Sequence, residues 1–457
     1  MKKTLALSVG IILSLGSVAR AMQLPDKYIV RENFFKDVTN FTEQDFRMKF
    51  GWDSGSKKLL DFPKDALEWL SKPPANRWAM PDSLLNWILE YPRRAAIFSG
   101  TVGMFSLLSI NKTLTTKKTS PLGTPRFTIQ LHNPNNPTLT DVRSLVSLPD
   151  NKNAGFQVAS TFFGMLEGGM DNPQELLTNM LGGAAQGEEI SISTAPATIY
   201  RKYFYPQPYL LKYLGNKATP IYKWKIPTID INIVKNYAYN PNDKLNVSIG
   251  LHQGAVVSSG PARDPFKKPE RNDEQLKMPI DILPNGFINP HTTQTVNLIF
   301  TSAYSLRKQE QLTQNPSVQS FCQMLLDASY EATLKSLALT GQRRVFLTLM
   351  GASAFSNPID WVGEAIDKDP VITTIKNNGL DVRLIYRMDF KPHRNAQDDA
   401  EFLIKMFELA EKINGTTLIS GQNSWVEDVI QSYTTALYTG NPGEASTLAE
   451  LLMDTQR

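Results

Sequence analysis

Two short segments combine small and polar residues in a way that suits an anionic ligand. The first is Leu181-Gly182-Gly183-Ala184-Ala185-Gln186-Gly187-Glu188-Glu189. The second is Leu349-Met350-Gly351-Ala352-Ser353-Ala354-Phe355-Ser356-Asn357, at the end of the apolar run 345–349. Glycine and alanine let a backbone come close to a ligand, and successive N–H groups can cradle a phosphate. A helix that starts just beyond such a loop adds its positive end. Two such loops in one domain suit a diphosphate. The same composition also fits tight turns, so both readings stand at this point.

Glu188 and Glu189 abut the first loop. A carboxyl desolvated beside a ligand has a raised pKa and can act as an acid or a water-orienting base. The alternative is a solvated pair on a loop. Asp327 and Glu331 are one helical turn apart and project to one side, either as a carboxylate pair or as a solvated helix face. Arg201, in Ile199-Tyr200-Arg201-Lys202-Tyr203-Phe204, suits a phosphate partner and a packed helix face equally well.

Other chemistries leave no trace. The four histidines, His132, His252, His291 and His393, are widely spaced and fall in no metal-ligand motif, so no metal site is expected. No G-x-S-x-G elbow, Walker loop or H-E-x-x-H motif occurs. The single cysteine, Cys322, has no internal partner and sits in an apolar helical pattern, which predicts core packing.

The elements that must position these groups fall into three stretches. Residues 22–110 are mostly helical: one helix opens at Thr42, one covers Phe62–Leu70 and one Met80–Leu89, and the latter two begin at a proline. Residues 111–125 are polar and turn-rich and predict a linker. Strands are then predicted at 127–131, 156–159, 228–234, 245–249, 296–300, 345–349 and 382–386, with helices at 317–339 and 361–366. Residues 262–290 are rich in proline and charge and predict a surface insertion. Helices are expected again at 398–413, closed by Asn414-Gly415, and at 425–437 and 444–453.

The chain has 457 residues, 41% of them hydrophobic and 20% charged, which excludes a mostly disordered chain or a polytopic membrane protein. Residues 1–21 read as a secretory signal: Lys2 and Lys3, an apolar run from Leu5 to Val18, then Ala19-Arg20-Ala21 before the cut. Lys and Arg number 48 and Asp and Glu 44, a net charge of +4. Cleavage removes three cations and no acid, leaving +1. No basic field then argues for nucleic acid, and no stable membrane span is expected after cleavage.

Several landmarks occur in the order of a known family. Phe156-Gln157-Val158-Ala159-Ser160 with Leu166-Glu167, then Gln186-Gly187, Thr198-Ile199-Tyr200-Arg201-Lys202-Tyr203-Phe204, Thr301-Ser302-Ala303-Tyr304, Ala328–Leu334 and Val345–Asn357 resemble successive segments of macrodomain-like proteins of bacteria and protists. The resemblance covers roughly residues 125–390. It implies an α/β fold, a mixed sheet sandwiched by helices, with an ADP-ribose cleft at the strand ends. It further implies that Gly182, Gly183, Gln186 and Gly187 flank the distal ribose. Gly351, Ala352, Ser353, Ala354 and Asn357 would wrap the diphosphate, and Phe355 would pack on a ribose or on the adenine. The Gly-Gly and Glu-Glu of the first loop also resemble the signature of poly(ADP-ribose) glycohydrolases, at a different spacing.

The departures are specific. Phe163 or Gly164 stands where the family has an asparagine that helps place the distal ribose. The family's Gln-Gly-Pro-Ala is Gln186-Gly187-Glu188-Glu189 here, and its triple glycine is Gly351-Ala352-Ser353. Side chains there narrow the space for a diphosphate.

The expected organisation is a signal at 1–21, a helical region at 22–120, a macrodomain-like core at 121–392 and a helical region at 393–457. The expected function is binding of ADP-ribose, with metal-independent hydrolysis of ADP-ribosylated protein by Glu188 or Glu189 and no cofactor. The alternatives are a non-catalytic reader of ADP-ribose or a nucleotide, and an exported interaction protein that uses the core as scaffold. The expected location is exported, periplasmic or secreted or delivered to a host cell, where a host or target protein would be its partner.

Overall fold

The computed structural model describes residues 33–53, 58–72, 79–117, 120–131, 140–159, 176–180, 186–205, 230–258, 280–283, 287–289, 291–307, 309–352, 355–386, 396–415 and 419–420. The expected signal and the expected helices at 425–437 and 444–453 lie outside these residues, as does most of the 262–290 insertion.

Apolar and β-branched runs build the sheet. Two short strands, β1 (Trp52–Asp53) and β2 (Lys58–Leu59), pair by themselves. The main sheet holds β3 (Thr101–Ser106), β4 (Arg126–Leu131), β5 (Gly155–Ala159), β6 (Ser248–Val256), β7 (Thr295–Thr301), β8 (Arg344–Leu347), β9 (Asp381–Tyr386) and β10 (Ile419–Ser420). Their spatial order is β10-β4-β9-β8-β5-β7-β6-β3. The first six of that order are parallel, and β6 is antiparallel to both β7 and β3. The sheet is therefore mixed, as expected.

Alternation sends the side chains of each strand to two faces, and both faces are covered. Phe127, Ile129, Val345, Leu347, Val382 and Leu384 pack with the long helix Pro316–Thr340 and with the helices Ile359–Ile366 and Ala396–Asn414. Phe156, Val158, Leu298, Phe300 and Phe346 pack with the N-terminal helices and with the segment 186–205. Cys322 is buried in the first of these cores, as its helical context predicts. Asn315 caps the long helix by accepting from the N–H groups of Ser317 and Val318, and Gly341 closes it at φ +73°.

Several local expectations are corrected. The described part of the strand expected at 228–234 is not a strand: Ile231–Lys235 is a helix, capped by Asp230 accepting from the Asn232 N–H at 2.9 Å. The expected linker begins inside a helix, Leu107–Thr116, because Leu107 and Ile110 are buried and Ser106 caps it. The expected strand at 245–249 lies at 248–256, after a helix ending at Asn246. Thr101–Ser106, in the stretch expected to be helical, is an edge strand of the main sheet. Gln186–Ser193 is a helix, not part of a loop.

Candidate functional site

Neighbouring strands β5 and β8 form a topological switch point. After β5 the chain returns as β6 and β7 on one side; after β8 it continues to β9 on the other. Connections that leave two parallel neighbours in opposite directions open a crevice at their carboxyl ends, the usual ligand position in such sheets. Below it, the rings of Phe156 and Phe346 stack at 4.6 Å and 11°.

The connection after β8 carries the second small-residue loop. Gly351 has φ +82°, and an added Cβ would lie 2.7 Å from the Ala303 Cβ and 3.0 Å from Asn357 Nδ2. A left-handed backbone and a close neighbour both require glycine here. The buried Asn357 donates through Nδ2 to the Tyr304 carbonyl at 2.8 Å, and its backbone N–H donates to the Gly351 carbonyl at 3.0 Å. The Leu306 N–H donates to the Phe355 carbonyl at 2.8 Å. The loops after β7 and β8 are thus tied together at two points, and the third bond closes the β8 loop on itself.

Two side chains that the sequence did not single out for this role hold the start of the loop. The Tyr330 hydroxyl donates to the Thr348 carbonyl at 2.6 Å and accepts from the Met350 N–H at 3.0 Å. Gln157 Oε1 accepts from the Thr348 N–H at 3.2 Å. Burial pushes the Tyr330 phenol above its ordinary range, so it stays protonated and able to donate.

This bonding fixes what the loop can offer. The N–H groups of Met350, Ala352 and Asn357 donate inward, so a phosphate would have to use others of the same loop, Gly351 among them. Asn357 is a brace between two loops, and Phe355 and Ala352 are buried in the core. Ser353 and Ala354 lie outside the described residues.

The helix Gln186–Ser193 carries the other set of expected residues. At its far end the Ser193 carbonyl accepts from the Ser258 N–H at 2.8 Å, next to Val257, which bonds Gln294 just before β7 begins. Its first turn therefore points toward the opposite edge, where β5 and β8 end. Gln186 and Gly187 lie in that turn, and the helix dipole places partial positive charge there. The side chains of Gln186 and Glu188 are outside the description, as are Gly182 and Gly183.

Glu189 is not on a solvated loop. It is buried on the inner side of the helix, with Oε2 at 3.0 Å from Arg143 Nη1. Arg143 is itself 2% exposed, on the helix Val142–Ser147 that follows β4, and its Nε and Nη2 are buried without a hydrogen-bond partner among the described residues.

The other charged candidates separate. Arg201 is fully buried in a π-helical turn, Tyr200–Phe204, with its guanidinium 4.3 Å from the Phe300 ring centre. Nη2 donates to Thr198 Oγ1 at 3.1 Å, and Nη1 lies 3.4 Å from His252 Nδ1. Burial pulls Arg201 down to about 9, and burial together with Arg201 pulls His252 down to about 3. His252 is thus neutral near neutral pH. Of the readings open for Arg201, the packed one holds. Asp327 and Glu331 do not act as a pair: Asp327 lies 3.6 Å from Lys368, and Glu331 binds Lys244 and Lys335 at 2.6 and 2.5 Å. Among the described residues no group of three or more His, Cys, Asp or Glu could hold a metal ion, and no helix is long and apolar enough to cross a membrane.

No family model matches the chain, and no curated protein matches it. Among solved structures it is similar to the poly(ADP-ribose) glycohydrolase of Thermomonospora curvata, at 12% identity and a TM-score of 0.38, over 73% of this chain and 92% of that one. It is also similar to the poly(ADP-ribose) glycohydrolase of Deinococcus radiodurans in complex with ADP-ribose, at 12% identity and a TM-score of 0.37, over 68% of this chain and 95% of that one.

Proposed function

We propose that this chain binds ADP-ribose in the crevice between β5 and β8. The carrying observation is the Gly351 loop: a left-handed glycine, braced by Asn357 and Tyr330, directly at the carboxyl end of β8. The first turn of the helix 186–193 faces the same edge and supplies partial positive charge. A braced backbone of this kind is preorganised, so it orders little on binding a diphosphate.

In the same reading, the chain hydrolyses the bond between the distal ribose and a protein side chain. Water adds to the anomeric carbon, the bond to the side-chain atom breaks, and that atom takes a proton. Glu188 is the carboxylate assigned to orient the water, since Glu189 is turned inward to Arg143. A second reading, binding without hydrolysis, is favoured by that same ion pair, which engages one member of the Glu188-Glu189 pair. The reading also includes export, with residues 1–21 as the signal, and a host or target protein as the bearer of ADP-ribose.

Hydrogen exchange with and without ADP-ribose tests the binding. Slowed exchange in residues 348–358 and 186–193 is expected, and unchanged exchange in both would sink the assignment. Incubation with ADP-ribosylated protein tests the chemistry: release of ADP-ribose that is lost in Glu188→Gln supports hydrolysis, and binding with no release supports the second reading.

A further inference from the structure

A buried carboxylate from the N-terminal helices holds both ends of the segment that carries Gln186–Glu189. Glu43, the first residue of the helix Glu43–Lys49, is 2% exposed. Its Oε1 accepts from the Leu177 N–H at 2.8 Å and from the Tyr203 hydroxyl at 2.5 Å. Its Oε2 accepts from the Thr178 N–H at 2.8 Å and from Thr178 Oγ1 at 3.0 Å. Leu177 and Thr178 precede the helix 186–193, and Tyr203 follows it. One side chain thus closes a stretch of more than twenty residues into a loop. The rings of Phe35 and Phe46 pack edge-on against Tyr203 at 5.6 and 5.3 Å and keep the Glu43–Tyr203 pair out of water.

We infer that Glu43 is a positioning residue for the ADP-ribose site. It fixes where the helix 186–193 starts, and therefore where its positive end and Glu188 stand relative to the Gly351 loop. The N-terminal helices are then part of the binding machinery through one carboxylate. The inference rests on the proposed function for its ligand, but the clamp itself can be measured without one.

The chemistry selects the test. All four partners are donors, so both oxygens must accept. Glu43→Gln keeps the shape and turns one acceptor into an NH2 group facing two donors, one of which is a backbone N–H. Leu84→Ala serves as the control: Leu84 is fully buried in the same apolar cluster and touches none of these polar atoms in a hydrogen bond. Both variants should unfold at lower temperature than the parent chain.

Two readouts then separate a clamp from a generic loss of stability. In the ligand-free chain, Glu43→Gln should speed amide exchange in residues 176–180 and 186–193, and Leu84→Ala should not. Well below either melting temperature, Glu43→Gln should weaken ADP-ribose about tenfold, and Leu84→Ala should leave it unchanged. Equal exchange in the two variants overturns the clamp. Faster exchange in Glu43→Gln with undiminished affinity overturns its role in the site. If the parent chain fails to bind ADP-ribose, the proposed ligand falls, and the exchange comparison alone decides the clamp.

Discussion

The Arg143 guanidinium lies 3.0 Å from the Glu189 carboxylate, and both side chains are buried between two helices that flank β5. Burying both charges is costly, and their attraction offsets that cost only while both are present. Arg143→Met should therefore destabilise the chain by about 3–5 kcal/mol. The double variant Arg143→Met with Glu189→Leu should recover most of that loss. Urea unfolding of the two singles and the double checks it; an Arg143→Met variant as stable as the parent would show that the pair carries no such coupling.

Gly351 should tolerate no side chain. Its φ of +82° and the 2.7 Å approach of Ala303 act together. Gly351→Ala should cost about 1–3 kcal/mol of stability from the left-handed backbone alone. It should also weaken ADP-ribose, because the loop must shift to admit the methyl group. Unfolding midpoints and titration of the same variant check both parts.

Tyr330→Phe should loosen the same loop from its other end. The hydroxyl serves the Thr348 carbonyl and the Met350 N–H at once, and its loss leaves the two only their 2.8 Å bond to each other, for about 0.5–1.5 kcal/mol. Exchange at Met350 should speed up, with little change at β9.

Acid should weaken the fold through Glu331. Burial alone would raise its carboxyl, but hydrogen bonds and charge from Lys244 and Lys335 outweigh burial and hold it below its ordinary value of 4.5. A depressed folded pKa contributes stability that is fully present above the unfolded value and is lost as pH falls through the folded one. Glu331→Gln should lose stability near neutral pH, and its deficit relative to the parent should shrink below pH 4.5. Urea midpoints of both proteins across the acid range check the sign.

Much of the sheet was legible in the sequence, because β-branched and aromatic runs such as Val345–Leu347 and Val382–Tyr386 are strands wherever they are buried on both faces. The long helix was legible from its apolar pattern. Residues 228–234 alternate like a strand in sequence, yet the Asp230 cap starts a helix at Ile231–Lys235. Thr101–Ser106 becomes a strand through pairing with β6, some 150 residues away, which no local pattern reveals. The glycine and two serines of Gln186–Ser193 mask a helix stabilised by packing. Within the site, Gly351 announced itself by type and position. Gln157, Tyr330, Arg143 and Glu43 did not, since each takes its role from partners distant in the chain.

Calorimetric titration of the purified chain with ADP-ribose tests the central claim most directly. Saturable micromolar binding that disappears in Gly351→Glu is the predicted result. Absence of binding at millimolar ADP-ribose would contradict the assignment of the β5/β8 crevice to this ligand.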